Sequence, residues 1–254
     1  MRLDWVPLTK ELSLWQREGL DLPIWWRDDD AVARTAQLDQ LSALSNEIGV
    51  PVYIAVIPDL LEPSLPEFVA TAPHLIPVVH GWRHISHAPQ GAKKAEFGQM
   101  RANAANELQL AITHLSEQFG QRLLPLFVPP WNRIDAGYMP VLAQAGYGGV
   151  STFGPRTADT ELPQINTHVD PIYWRGHRGL ADPEALIAGA VATIRARRNG
   201  ETDADEPLGL LTHHLVHDAD IWEFSAQMLR VLLDGGARVA DIAGHLQAGR
   251  NPSI

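Results

Sequence analysis

Three consecutive aspartates, Asp28, Asp29 and Asp30, follow the apolar and aromatic run PIWW at residues 23–26, with only Arg27 between them. Adjacent carboxylates repel each other and are costly to remove from water. A buried strand that ends in three of them therefore loses stability unless a cation or a hydrogen-bond network compensates for the charge. The stretch predicts a functional site at the end of a strand.

A second group of residues with metal-binding chemistry lies in HGWRHISH, residues 80–87. His80 and His84 are four residues apart, so they share a face if the intervening residues form a helical turn, and both imidazoles could then bind one cation. A carboxylate from Asp28 or Asp29 would complete an Asp/His/His set with a position open for water, which is typical of a catalytic metal site. The alternative is an ordinary turn with two capped or solvated histidines.

The sequence also contains the other groups that metal-assisted hydrolysis needs. A bound divalent ion lowers the pKa of its water from about 15.7 to about 7, and the second aspartate of the pair is a candidate base for the proton. The backbone N–H of Trp131, after the rigid pair at residues 129–130, is a candidate donor to an oxyanion. His213 is the candidate acid that protonates a leaving amine.

Polar clusters follow four different apolar segments, and the pattern of the whole chain indicates how they meet. Strand-like and helix-like segments alternate in about seven units between LPIWW at 22–26 and LGLLTH at 208–213, which favours a parallel sheet with crossover helices, closed into a barrel. The carboxyl ends of barrel strands converge on one face, where active sites lie. A long helix is expected from about Lys93 to Phe119.

Composition narrows the class of protein. The 254 residues, 45% of them hydrophobic, are enough for one barrel, so we expect a single catalytic domain over residues 1–254. A net charge of -10 disfavours nucleic acid as a partner. No segment has the roughly 20 apolar residues of a membrane span or the apolar core of a signal peptide, which predicts a soluble, cytoplasmic protein. Without cysteine, any metal must be held by His, Asp or Glu.

The segments WRDDD, HGWRH, VPPW, VDPIYW and LLTH, in that order, resemble the motifs of the polysaccharide deacetylases of the carbohydrate esterase family 4 superfamily, over about residues 22–214. The resemblance implies a distorted (β/α)7 barrel in the α/β class and a divalent metal ion, with zinc as the first choice. It also implies hydrolysis of an N-acetyl or related amide. The roles that it implies are Asp28 as base, Asp29, His80 and His84 as metal ligands, Trp131 as oxyanion donor, His213 as acid, and Asp170 and Trp174 as the pair that tunes this acid.

The chain departs from the family pattern at several positions. Val128 stands where the family has the arginine that holds the catalytic aspartate, and Arg27 and Arg133 are the candidate substitutes. Asp30 stands where the family has glycine, and we expect it to cap the following helix. His217 also satisfies the pattern Leu-x-His, and both His214 and His217 are alternatives to His213. The candidate substrate contacts are Pro130, Arg133, Trp174 and His87.

These observations predict a metal-dependent deacetylase that acts on an N-acetylated sugar or small glycan. A related alternative is an amide hydrolase that acts on a non-sugar small molecule, as allantoinase-like members of the superfamily do. A second alternative is a catalytically inactive barrel that binds metal or carbohydrate. A third is a non-haem iron oxygenase, because its facial triad uses the same ligand atoms.

Overall fold

The computed structural model describes residues 2–157 and 160–248. In this part of the chain, seven parallel strands form one sheet in the order β5-β4-β3-β2-β1-β6, and β7 pairs with the start of β1. The strands are β1 (Pro23–Ala31), β2 (Val52–Val56), β3 (Leu75–His80), β4 (Leu126–Val128), β5 (Gly149–Val150), β6 (Leu208–Thr212) and β7 (Arg238–Val239).

Helices connect the strands and cover the outside of the sheet. Side-chain caps fix the first residues of several helices. Asp182 accepts from backbone N–H groups in the first turn of the helix that begins at Pro183, and Asp218 does so for the helix that begins at Ala219. The helices are α1 (Val6–Arg17), α2 (Ala36–Ile48), α3 (Ser64–Thr71), α4 (Ala104–Phe119), α5 (Met139–Ala145), α6 (Pro183–Arg198), α7 (Ala219–Asp234) and α8 (Ile242–Ala248). None of the described helices is long and apolar enough to cross a bilayer.

An irregular segment at residues 163–169 closes the gap between β5 and β6. On one side the N–H of Val150 donates to the C=O of Pro163, and the N–H of Ile165 donates to the C=O of Val150, both at 3.0 Å. On the other side the N–H of Leu211 donates to the C=O of Val169 at 2.8 Å. The fold is therefore the distorted (β/α)7 barrel of the α/β class that the sequence predicted.

The sheet is covered on both faces, so alternate residues of each strand belong to two different cores. Trp25 packs with Tyr53 and Ala55 in the smaller core inside the barrel, whereas Trp26 packs in the larger core beneath the helices. Residues 25, 27 and 29 of β1 consequently point inward, and residues 26 and 28 point outward. This alternation decides which aspartate reaches the barrel mouth.

The helix expected to start near Lys93 begins only at Ala104. The residues before it form a loop, and the backbone of Phe97 in that loop is used in an isolated bridge to Ile134. The ring of Phe97 lies at right angles to that of Phe127, 5.4 Å away. The apolar periodicity upstream of residue 104 therefore reflects a loop of which only residues 95–97 are buried, and Met100, part of the expected stripe, is 54% exposed.

Candidate active site at the mouth of the barrel

A β-bulge at the end of β1 places Asp29 and Asp30 at the same opening. Asp28 pairs with Ile54 of β2 and Ala31 pairs with Val56, so two residues of β1 face one residue of β2. Asp30 has a φ angle of 73°, in the left-handed region that few non-glycine residues adopt. The bulge interrupts the strand alternation, and both carboxylates line one cavity.

Asp30, His80 and His84 form a cluster whose potential ligand atoms all lie within 4.8 Å of one another. Asp30 Oδ1 is 3.1 Å from His80 Nε2 and 3.4 Å from His84 Nε2. Behind the cluster, His80 Nδ1–H donates to the C=O of Val128 at 3.0 Å, which is the contact that commonly orients a metal-binding imidazole. The two nitrogens and one carboxylate oxygen are the donor set of an open zinc-type site.

The opposite charges of Asp30 and His80 offset the effect of burial on their pKa values. Burial raises the pKa of Asp30, but the hydrogen bond and charge of His80 outweigh it, so the pKa lies well below its ordinary range. Burial lowers the pKa of His80, but Asp30 and Asp29 outweigh it, and the net shift is upward. For His84, burial and the charge of His80 leave the pKa below its usual value. An ionised carboxylate that favours positive charge on His80 is an environment that also favours a bound cation.

A buried carboxylate, Glu96, holds the turn that carries His84. It accepts hydrogen bonds from the backbone N–H groups of residues 82, 83 and 84 at 3.2, 2.8 and 3.2 Å. Gly81 is required beside it, because φ is 57° there and a Cβ would collide with Glu96 Oε2. The two histidines thus meet through a turn wrapped around a carboxylate, not through a helical turn. The sequence signal was an acid between two apolar residues, Ala95 and Phe97.

Asp29 lies beside the cluster and is paired with a buried guanidinium. Arg27 Nε and Nη2 donate to the two Asp29 oxygens at 2.9 and 3.0 Å. Arg27 is itself held by Ser151 Oγ and Asn132 Oδ1, each at 2.6 Å. On the other side, His213 Nε2 lies 3.9 Å from Asp29 Oδ2. Arg27 therefore supports a carboxylate at the barrel mouth, and that carboxylate is Asp29, not the Asp28 for which a substitute arginine was expected.

Asp28 does not reach the cavity. It points to the outer face of β1 and is fully buried, where Oδ2 accepts from Thr212 Oγ1 at 2.6 Å and from the N–H of His214 at 3.0 Å. Its other oxygen pairs with His214 Nδ1. The two aspartates expected at the cavity were Asp28 as base and Asp29 as ligand, but the two that line it are Asp29 and Asp30. Strand alternation points Asp28 away from the cavity, and the bulge turns Asp30 toward it.

The expected helix-capping role of Asp30 is wrong. The N-cap of α2 is Thr35, whose side chain accepts from the N–H of Leu38 at 3.1 Å. The carboxylate of Asp30 is instead directed to the two histidines.

His213 faces the cavity from the end of β6, together with Asp170 and Trp174. The Trp174 ring lies edge-on to the His213 ring with centroids 4.7 Å apart, and Trp174 Nε1 donates to Asp170 Oδ2 at 2.7 Å. Burial raises the pKa of Asp170, and the charge of His213 opposes this. His213 Nδ1 is buried without a hydrogen-bond partner in the described part of the chain.

The other two histidines of this segment have different positions. His214 is fully buried against Asp28. His217 Nε2 accepts the backbone N–H of His213 at 3.1 Å, so it holds the segment that carries His213. Neither of them lines the cavity.

Among the remaining candidates, Trp131 and Arg133 line the cavity. Trp131 has a φ angle of 58°, its ring packs on that of His84 with centroids 4.3 Å apart, and its N–H makes no hydrogen bond to the described residues. Pro130 and His87 were expected to contact substrate and line no part of the cavity. Pro130 is buried against Gly81, and His87 lies exposed along the adjoining loop.

The groups above line a cavity of about 790 Å³, which lies within the range of small-molecule sites. Carboxylates and histidines occupy its floor, and Trp131, Trp174, Phe153, Lys94, Arg133 and Arg178 line its remaining wall. Carboxylates, imidazoles and cationic side chains therefore surround one cavity.

No protein-family model matches this chain, and no curated protein matches it. Solved structures do match. A family 4 carbohydrate esterase from Streptomyces lividans, in complex with acetate, is 15% identical, with a TM-score of 0.55 over 89% of this chain and 95% of its own. A family 4 acetyl xylan esterase from Clostridium thermocellum, in complex with a cobalt ion, is 11% identical, with a TM-score of 0.54 over 90% and 92%.

A third match is a pseudoenzyme of carbohydrate esterase family 4 from Bacillus anthracis, 13% identical, with a TM-score of 0.58 over 89% of this chain and 66% of its own. At these identities the likeness concerns the fold. The chain has the fold of the carbohydrate esterase family 4 polysaccharide deacetylases.

Proposed function

We propose that this protein is a divergent polysaccharide-deacetylase-type hydrolase that removes an acetyl or related N-acyl group from an N-acetylated sugar or small glycan in a metal-dependent reaction. The observation that carries the proposal is the cluster of Asp30, His80 and His84 next to Asp29, which Arg27 holds from behind. The cluster lies at the strand ends of a fold shared with family 4 carbohydrate esterases.

Asp30, His80 and His84 would hold a divalent ion, with zinc as the first choice. When bound, such an ion polarises the acyl carbonyl and lowers the pKa of a coordinated water. The three side chains leave the cavity side of the cluster open to water and substrate.

Asp29 is the proposed base. The bidentate pairing with Arg27 fixes the orientation of its carboxylate. A carboxylate in this position accepts the proton of the attacking water, a contribution of about 10² to 10⁴ in rate.

Trp131 and His213 are the proposed partners on the acyl carbonyl and the leaving amine. The Trp131 N–H has no partner in the described structure and adjoins the His84 ring, so it can donate to the developing oxyanion, which is worth about 2.7–4 kcal/mol. His213 Nε2 faces Asp29 across 3.9 Å, and it donates a proton to the leaving nitrogen. The Trp174 ring packs edge-on against the His213 ring, and its Nε1 donates to Asp170, which places this carboxylate on the same side of the cavity.

The test compares two neighbouring carboxylates. Asp29→Asn should lower kcat for N-acetylglucosamine oligomers by about 10² to 10⁴, with metal content unchanged by plasma mass spectrometry. Asp28→Asn removes a carboxylate on the outer face and should leave kcat of the folded protein within about tenfold of wild type. Hydrolysis by Asp29→Asn at nearly the wild-type rate would exclude this mechanism.

An inactive barrel is the second candidate, because Val128 replaces the family arginine and one of the similar structures is a pseudoenzyme. Two observations favour activity. Arg27 supplies a guanidinium to Asp29 from a different position, and His213 remains at the mouth of the barrel. Metal binding without turnover of sugar or non-sugar N-acyl substrates would favour the inactive barrel, whereas turnover of non-sugar amides alone would favour the allantoinase-like alternative.

A further inference from the structure

A second cavity of about 590 Å³ adjoins the first. We call it the side cavity. The two cavities share Asn132, Arg133 and Phe153 in their walls, so they are adjoining parts of one groove. A substrate whose acyl group lies at the Asp30 cluster would place its neighbouring groups in or near the side cavity.

The charges of the side cavity differ from those of the first. Lys93 and Arg133 are its charged lining residues in the described part of the chain, and both are cations. The first cavity contains the acidic residues Asp29, Asp30 and Asp170, which surround the histidine cluster, as well as cations toward its rim, namely Lys94, Arg133 and Arg178. The Asp30 cluster therefore attracts cations, whereas the side cavity attracts anions.

Three of the amide side chains that line the side cavity use only their carbonyl oxygens in hydrogen bonds to the described residues. The carbonyl oxygen of Asn132 accepts from Arg27 at 2.6 Å, that of Asn166 accepts from the N–H of Thr152 at 2.8 Å, and that of Gln164 accepts from the N–H of residue 157 at 3.0 Å. These bonds fix the side-chain flips, because only the oxygen can accept. The three NH₂ groups make no hydrogen bonds to the described residues, so they are free to donate to a ligand.

The cations at the groove also lack acidic partners among the described residues, although the chain carries ten more negative than positive charges. Lys93, Lys94, Arg133 and Arg178 line the two cavities and form no ion pair with the described residues. Ten other described arginines do form such pairs, namely Arg27, Arg34, Arg83, Arg101, Arg156, Arg195, Arg197, Arg198, Arg230 and Arg238. Arg17, Arg122 and Arg175 form none, but they line neither cavity. Unpaired cations in a cleft produce a local positive potential that attracts anions.

We propose that the side cavity binds an anionic substituent of the substrate, a carboxylate or a phosphate, through Arg133, Lys93 and the amide donors. This proposal rests on the proposed function, because it names the class of N-acylated substrate: one that carries a negative charge beside the acylated nitrogen. Arg133 offers the planar donor pair that carboxylates and phosphates accept, and Lys93 adds a mobile charge at the rim.

The test measures selectivity. kcat/KM is determined for neutral N-acetylglucosamine, for its 6-phosphate and for N-acetylmuramic acid, which carries a carboxylate. We expect at least one anionic compound to exceed the neutral one by about tenfold or more, as for one charged hydrogen bond, and the preference to decrease with added salt. Preference for the phosphate or for the carboxylate identifies the source of the charge, and equal values for all three would overturn the proposal.

Charge-removing variants locate the effect. Arg133→Gln and Lys93→Gln should each reduce the ratio of kcat/KM for the preferred anionic substrate over the neutral one. Lys10→Gln is the control, since Lys10 is an exposed cation on α1 that lines neither cavity. Arg133 also donates to the C=O of Lys94 at 2.7 Å, so Arg133→Gln removes a structural hydrogen bond as well as a charge. If that variant fails to fold, Lys93→Gln, which breaks no such bond, becomes the deciding variant. An equal loss of selectivity in Lys10→Gln would contradict a local site.

Calorimetric binding of N-acetylglucosamine 6-phosphate and N-acetylmuramic acid to the metal-free protein separates this proposal from the proposed function. Binding that weakens in Lys93→Gln, without turnover after metal loading, would support the anion site and exclude the deacetylase. Turnover of neutral and anionic substrates without selectivity would support the deacetylase and exclude the anion site.

Discussion

Two clusters of aspartate and histidine lie on opposite faces of the end of β1, and they differ in access. On the outer face, Asp28 is enclosed by Thr212 and His214, and Trp26 Nε1 donates to Thr212 Oγ1 at 2.8 Å. On the inner face, Asp30 meets its two histidines at the floor of an open cavity. The same residue types are therefore buried in the core on one face and form a candidate reactive site on the other. The direction in which each side chain leaves β1 decides between the two.

The electrostatic solution is similar in both clusters. Burial raises the pKa of Asp28, but the charge and hydrogen bond of His214 outweigh it, and the net pKa lies below its ordinary value of 3.8. The Asp30 carboxyl is held ionised by His80 in the same way. A shifted pKa alone thus cannot distinguish the two clusters, whereas the open side of the inner cluster does.

The largest effect is expected from removal of the inner histidines. His80→Ala/His84→Ala should reduce the metal content from about one ion per chain to none, and hydrolysis should be lost with it. Plasma mass spectrometry on protein purified without chelator measures the change. His87→Ala is the control, because His87 is exposed and outside both cavities. A full metal equivalent in the double variant would exclude this cluster as the metal site.

A substitution in the outer cluster should lower the free energy of unfolding of the protein. Asp28→Asn breaks a buried ion pair and should lower the free energy of unfolding by about 3–5 kcal/mol, measured by urea denaturation. Because the pKa of Asp28 is lowered from 3.8, its stabilising contribution is present above that pH and is lost as the pH falls below it. The variant should lack this acid-dependent loss.

Asp21→Asn is the control for Asp28→Asn. Asp21 pairs with Arg238 at 3.2 Å, and both side chains are largely exposed, so we expect a change below about 1 kcal/mol. Equal losses in the two variants would contradict the structural role of the outer cluster.

A smaller effect is expected from the carboxylate beneath the His84 turn. Glu96→Gln retains the size of the side chain but weakens its three hydrogen bonds to the backbone N–H groups of residues 82–84. Metal affinity should decrease about 10- to 100-fold, as for other groups that support ligands, measured by competition with a chelator. Glu47→Gln, which removes an exposed pairing with Arg230 on the outside of the barrel, should leave the affinity unchanged, and an unchanged affinity in Glu96→Gln would refute the role.

The smallest effect concerns His217. Burial lowers the pKa of His217 from 6.5 to about 4, and its neutral form accepts the N–H of His213. The stability from this group is therefore complete above pH 6.5 and is lost as the pH falls toward 4. The thermal midpoint should decrease over this window in wild type and less in His217→Gln, and identical slopes in the two proteins would contradict this reasoning.

The sequence predicted most of the fold because the relevant signals are local. Apolar runs and their helical partners identified β1, β2, β3 and β6, together with α6 and α7. The same patterns predicted that four strand ends would meet, which placed His80, His84 and His213 around one cavity.

Which aspartate lies beside the two histidines depends on the bulge in β1, and no local sequence signal predicted that bulge. Counting alternate residues inward from Trp25 would have assigned Asp29, not Asp28, to the barrel mouth. The role of Glu96 depended on a contact between positions 14 residues apart, through a loop that resembled a helix in its periodicity.

The bulge in β1 also has a consequence for how the sequence can change. In a regular strand, two neighbouring residues cannot both face the same ligand, so acquiring a second carboxylate there requires an insertion, not a substitution. Deletion of Asp30 would restore a regular pairing between β1 and β2 and remove the carboxylate that lies 3.1 and 3.4 Å from the two histidines. A single codon in this strand therefore decides whether one or two carboxylates of β1 line the cavity.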